Sequence, residues 1–291
     1  MSMAPGSPVD MLISPQIPAE ALAAKRIELG LDAPVYVQYF SWLKHLLQGD
    51  LGFSMITYEP VLNMIVSRMG PTLLLMGVSL IIGVAIAVPL GILSARKQYS
   101  KLDYAAVTGS FLGISVPNFF LGLGLIFVFS LWLKILPSSG MTSLGGGGGF
   151  KDILLHLIMP VIVLTANVAG RNIRYVRSSM LEIMEQDYLR TARAKGLKET
   201  LVINRHAVRN ALIPIITVLG MEIPILFGGA VVIEQIFSWP GIGQLTMSSI
   251  MSRDYSTIMG LNLTAAVIVI IANLLTDITY ALVDPRIKYS K

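Results

Sequence analysis

Apolar residues in this chain are gathered into long blocks separated by polar or basic stretches, rather than spread at the short periods of a soluble helix or strand. A helix crossing about 30 Å of hydrocarbon needs about 20 mainly apolar residues. Five blocks are long enough: Pro71 to Ala95, Ala105 to Leu133, Ile153 to Tyr175, Ala211 to Ile233 and Thr257 to Val283. The pattern predicts an all-α integral membrane protein with five transmembrane helices. Interior Pro and Gly residues, such as Pro89 with Gly91, Pro117, and Pro224 with Gly228 and Gly229, are tolerated where neighbouring helices or water satisfy the freed carbonyls. Small residues also let helices approach closely, so packing and kinking are the expected roles of these positions.

Composition agrees with lipid as the main solvent. Of 291 residues, 13% are charged and the mean hydropathy is +0.70, whereas about a quarter of a soluble domain is charged. The net charge of +5 does not point to nucleic acid, because the basic residues lie between the apolar blocks. They divide unequally, with 15 of the 22 on one side, among them Arg96, Lys101, Arg171, Arg174, Arg177, Arg190 to Arg209 and the last residues, and 7 on the other. The positive-inside rule makes the richer side cytoplasmic. The expected organisation is an extracytoplasmic segment over 1–70, a transmembrane domain over 71–283 with a cytoplasmic loop at 175–210, and a cytoplasmic tail at 284–291. The loops at 134–152 and 234–256 fall outside.

An external segment of about 70 residues ahead of the first span normally requires an upstream signal or anchor helix. Met1 to Asp10 has neither the basic nor the apolar region of a signal peptide. The turn-rich opening Ala4-Pro5-Gly6-Ser7-Pro8-Val9 reads instead as the exit from a helix missing before Met1. A helical stretch from Pro18 to Leu29 and an aromatic-rich one from Val35 to Leu47 suggest a small cap, either a structural lid or a docking or gating element. The run Gly145 to Gly149 is followed by Phe150-Lys151-Asp152, not the Gly-Lys-Ser/Thr of a phosphate-binding loop. It reads as a flexible external linker, and no nucleotide-hydrolysing site is expected. With no cysteine, disulfides, thiolate metal sites and a cysteine nucleophile are excluded.

The most informative stretch is the basic loop. In Asp187-Tyr188-Leu189-Arg190-Thr191-Ala192-Arg193-Ala194-Lys195-Gly196-Leu197, Asp187 is a good helix N-cap and Gly196 suits the left-handed position that ends a helix two turns later. Taken alone, such a segment reads more readily as a solvated loop of the positive-inside kind than as a docking element. It resembles, however, the loop of ABC importer permeases in which Glu-Ala-Ala precedes a glycine and forms the coupling helix seated in a cleft of the ATPase. Aligned on Gly196, those positions are Arg190, Thr191 and Ala192, so the family's glutamate is absent.

Tyr188 to Gly196, His206, Arg209-Asn210-Ala211-Leu212 and Pro214 are similar to the dipeptide, oligopeptide and nickel branch of that family. So are the opening Pro-Gly motif, with Ser7 in place of the usual Asp, and Glu28-Leu29-Gly30-Leu31-Asp32, Gly49-Asp50-Leu51-Gly52 and Asp284-Pro285-Arg286, while Phe237-Ser238-Trp239-Pro240-Gly241-Ile242-Gly243 resembles the branch's external reentrant turn. The resemblance implies a type I ABC importer permease fold with six spans. It also implies a coupling role for Asp187, Tyr188, Arg190, Thr191, Ala192, Arg193, Ala194, Lys195 and Gly196. The implied partners are a homologous second permease, two cytoplasmic ATPases that use ATP and Mg, and an extracytoplasmic solute-binding protein. Dipeptides, longer peptides, nickel or another small solute fit as cargo, and a prokaryotic cytoplasmic membrane is the expected location.

Ionisable groups deep in lipid cost roughly 2.5–3.5 kcal/mol and usually face a bundle interior. Glu222 lies near the middle of its span, where it could line the substrate path and meet an ammonium group or hydrogen-bond a neighbouring helix. Asn118 and Asn167 share that choice between pore lining and interhelical bonding. Asp277, nearer the cytoplasmic end of its span, is expected to make a structural bond. A secondary transporter should show paired broken helices in an internal repeat, which is not evident here. An intramembrane hydrolase needs a nucleophile and base pair that the spans do not offer. His156 and His206 are expected on opposite sides of the membrane, too far apart to share a metal.

Overall fold

A computed structural model describes residues 33–143, 145 and 148–283. The opening motif, the Pro18 to Leu29 stretch, Glu28 to Asp32, part of the glycine run and Asp284-Pro285-Arg286 lie outside the described residues. Helix dominates what is described: α1 (Val35–Leu47), α2 (Val61–Arg96), α3 (Lys101–Ser115), α4 (Asn118–Leu125), α5 (Phe150–Met184), α6 (Asp187–Ala194), α7 (Val208–Ile236), α8 (Ile242–Met251) and α9 (Tyr255–Val283). The only strand-like pairing among the described residues is an isolated bridge between Phe53 and Pro60.

Four helices are long and apolar enough to cross a membrane alone: α2, α5, α9 and the Val218–Ile236 part of α7. The fifth expected span is not one straight helix. Helices α3 and α4, the latter running on as a π-helical stretch Ile126–Trp132, meet at 96°. The cause is local, since a residue before proline is pushed out of the helical region: Val116 is extended (φ −80°, ψ 120°), and Pro117 caps α4. In lipid, such a break is tolerated only where it is buried in protein or lines a cavity.

Helix α5 is the centre of the bundle. Of its apolar stretch 61% is buried, against 17% for α9, and it packs on α2, α3, α4 and α7. The long α2–α5 seam is close because Gly83 and Gly91 of α2 receive Val168 and Val176 of α5. A Cβ at either glycine would lie 2.6 Å from the facing valine. At about 1.5 Å per residue the 35-residue α5 is roughly 50 Å long, so it outruns the hydrocarbon. Its last turns enter the basic segment expected from sequence to be loop.

The segment 234–256 is a partly buried turn and helix, the end of α7 being followed by a turn and by α8. Phe237 and Trp239 are almost fully enclosed, together with Leu157, Leu164 and Ile233. Glu234, fully buried, accepts bonds from Thr72 Oγ1 (2.6 Å) and from the backbone N–H groups of Gly243 (2.7 Å) and Gln244 (3.1 Å). Trp239 Nε1 donates to the Pro71 carbonyl at 2.9 Å. Asp254 accepts from Ser54 Oγ, Met55 N and Thr257 Oγ1, pinning the stretch before α2 to the start of α9.

Candidate functional site: a basic docking helix and a polar cleft

Two regions carry chemistry, and α5 and α7 run through both. The first is α6. The helix begins one residue earlier than its sequence suggests: Gln186 (φ −68°, ψ 142°) is the cap residue, and Asp187 is the first helical residue without a side-chain capping bond. Asp187 still favours the positive end of the helix dipole. At the other end Gly196 has φ +78°, and the N–H groups of Gly196 and Leu197 return to the carbonyls of Arg193 (2.9 Å) and Ala192 (3.4 Å). That pair of bonds is a Schellman stop, which the glycine makes possible.

Sequence left α6 readable as a solvated loop, whereas the structure seats it on the bundle. Leu189 is fully enclosed and Ala192 is 9% exposed, packed with Val176 and Met180 of α5, Ala211 and Ile215 of α7, Ala95, and Val202, Ile203 and Ala207. Burying Leu189 contributes about 1.5–3 kcal/mol to holding the helix in place. The opposite face, with Asp187, Tyr188, Arg190, Thr191, Ala194, Lys195 and Gly196, is exposed. Arg190 makes a loose ion pair with Asp187 at 3.6 Å. Arg193 grips Glu199 through two bonds of 3.1 and 3.0 Å. The Arg193 guanidinium holds the Glu199 carboxyl below the usual carboxylate range, so this brace is present at neutral pH and is lost as pH falls through the lowered value.

The second region lies at the break between α3 and α4. Asn118 opens α4 at the break and meets Asn167 of α5, whose Nδ2 donates to Asn118 Oδ1 at 3.4 Å. Arg171, one turn further along α5, donates to Asn167 Oδ1 through Nη1. It also donates to both carboxylate oxygens of Glu222 on α7, through Nε (3.3 Å) and Nη2 (2.6 Å). Asn172 adds a bond of 2.9 Å to Glu222. Asn118, Asn167 and Arg171 line a cleft of about 280 Å³ with Leu164, Ile225, Leu226 and Gly229.

The three polar residues singled out in the spans are therefore brought into one network, though at different depths. Asn118 and Asn167 face the cleft, whereas Glu222, 2% exposed, stands behind Arg171. Arg171 was the residue missed, since its positive charge placed it among the cytoplasmic groups. Its i+4 spacing from Asn167 and its place inside the Ile153 to Tyr175 block were the signals that it belongs with them. Asp277 is exposed on α9. Nearer the C-terminal end of α5, Arg177 binds both oxygens of Asp103 on α3 at 2.6 and 2.8 Å.

A multi-pass helical bundle with a broken helix at a polar cleft, and a capped basic helix seated on the two helices that frame that cleft, is organised as a transport subunit. Residues 87–289 match the family described as binding-protein-dependent transport system inner membrane component. The chain is 47% identical to the oligopeptide transport system permease protein AppB of Bacillus subtilis, over 99% of this chain and 92% of that protein. It is 39% identical to the glutathione transport system permease protein GsiC of Salmonella choleraesuis, over 98% and 90%. The inward-facing MetNI methionine ABC transporter matches in structure with a TM-score of 0.62 at 17% identity, covering 77% of this chain and 97% of that one; this likeness concerns fold alone. The chain belongs to the family of inner membrane components of binding-protein-dependent transport systems, as a permease subunit of an ABC importer with the type I fold. It is a transport component rather than an enzyme.

Proposed function

We infer that this permease conducts di- or oligopeptides across a prokaryotic cytoplasmic membrane, driven by ATP and Mg used on separate ATPase subunits. The observation that supports a peptide cargo is near full-length similarity to permeases named for oligopeptide and glutathione transport. The complex contains a homologous second permease, two ATPases and an extracytoplasmic binding protein that delivers the peptide. The exposed face of α6 docks on an ATPase from the cytoplasmic side.

The seat of α6 supports a mechanical route. Leu189 and Ala192 rest on the C-terminal part of α5 and the N-terminal part of α7, and these same helices carry Arg171 and Glu222. Force applied to α6 by ATPase closure reaches the cleft through two rigid elements. Interhelical motion about the Arg171–Glu222 pair then switches access from one side to the other.

The test is uptake of a labelled tripeptide by proteoliposomes containing the assembled complex. Uptake should require ATP, Mg and the binding protein together. Uptake without ATP, driven by an ion gradient instead, would overturn the importer reading in favour of a secondary transporter.

A further inference from the structure

Helix α5 presents three arginines at successive turns, Arg171, Arg174 and Arg177, and only two described carboxylates answer them. Glu222 takes Arg171 and Asp103 takes Arg177. Arg174 lies instead over the ring of Phe111, with its Cζ 4.7 Å from the centroid, and its buried Nε has no hydrogen-bond partner. One positive charge is left over within the bundle, one turn from the cleft. A cation in such a place is costly.

Arg171 itself has capacity to spare. Of five guanidinium N–H groups, two are given to Glu222 and one to Asn167. One N–H remains on each of Nη1 and Nη2, the number a bidentate carboxylate accepts. The side chain is 30% exposed, and it lines the cleft that its partner Glu222 does not. The start of α4 at Asn118, also on the cleft, carries no side-chain cap, so it adds the positive end of a helix dipole to the same wall.

Resting on the peptide reading, we propose that the cleft binds the terminal carboxylate of the peptide in transit. Arg171 is its bidentate receptor, and Arg174 keeps the surroundings positive. Glu222 and Asn172 hold the guanidinium in place, so the receptor stays ordered when the cleft is empty. The amides of Asn118 and Asn167 meet the peptide backbone, and Leu164, Ile225 and Leu226 accept side chains without selecting among them. Recognition of a group that every unmodified peptide carries makes the cleft indifferent to sequence.

Proteoliposomes with the full complex should be given one tripeptide as the free acid and as its C-terminal amide, each at a concentration that saturates the binding protein in a separate titration. The readout is the ratio of translocated acid to amide. Wild type is expected to favour the acid. Arg171→Lys, which keeps the charge and loses the fork, should reduce the ratio roughly tenfold, in line with loss of a charge-assisted pair. Arg174→Gln should reduce it about threefold. Arg174 makes no carboxylate bond, so this second variant keeps the test decisive if Arg171→Lys fails to assemble. A ratio unchanged in assembled Arg174→Gln, and in Arg171→Lys wherever that assembles, would overturn the carboxylate site and leave the peptide reading standing. Wild type that carries neither peptide would overturn both.

Discussion

Arg171→Ala is expected to destabilise the bundle by about 3–5 kcal/mol, because it strands the buried Glu222 carboxylate without its cation. The paired replacement Arg171→Met with Glu222→Leu should recover most of that loss. Both desolvation costs disappear together, and what remains is about 1 kcal/mol for each hydrogen bond that Asn167 and Asn172 lose. Thermal unfolding of the detergent-solubilised complex, measured for wild type, Arg171→Met, Glu222→Leu and the double, gives the coupling energy directly. Strong positive coupling is expected. Additive losses would mean that the two groups do not hold each other, and that Glu222 was free to act in the path by itself. The double variant is also expected to transport poorly despite assembling well, since it removes the polar wall of the cleft.

Substitutions on α6 should separate its two faces. Gly196→Pro cannot adopt φ +78° and removes the N–H that closes the helix on Arg193. Ala194→Glu places a charged side chain on the exposed face. Both are expected to leave the membrane bundle inserted and folded while cutting substrate-stimulated ATP hydrolysis and transport by at least about tenfold, the cost of roughly 1.4 kcal/mol of lost docking. Ala192→Glu, two residues away, should behave differently. Ala192 is 9% exposed among Met180, Val202 and Ile215, so the glutamate would be forced into the apolar seat and would lower bundle stability by several kcal/mol. If Ala192→Glu and Ala194→Glu had the same effect on stability, α6 would not be seated as described.

Much of this architecture was legible in the chain because lipid imposes a simple length rule. The spans near Pro71, Ile153, Ala211 and Thr257 all reappear as long helices. Hydropathy could not see the 96° bend at Val116–Pro117, since the two halves add up to one apolar block and proline alone does not fix an angle. Nor could it see the bonds that anchor 234–256, because Glu234 meets Thr72, and Asp254 meets Ser54, only in three dimensions. Glycine at 196 gave the end of α6 correctly. Asp187 misplaced its start by one residue, because cap and first-turn preferences for aspartate overlap. Asn118, Asn167 and Glu222 stood out as polar groups in apolar blocks, yet Arg171, which joins Asn167 to Glu222, was hidden by a charge that sequence counting assigns to the cytoplasm.

An ATPase subunit is expected to push on this permease at the exposed face of α6. Tyr188, 43% exposed on that face, can be replaced by a photoreactive benzoylphenylalanine in membranes that contain the whole complex. Phe150, 82% exposed at the start of α5, serves as the control, because α5 carries it to the opposite end of the bundle. Irradiation is expected to join position 188 to the ATPase subunit in high yield and position 150 to no ATPase at all. Crosslinking of the ATPase from position 150, or none from position 188 in a complex that still hydrolyses ATP and imports substrate, would contradict the account.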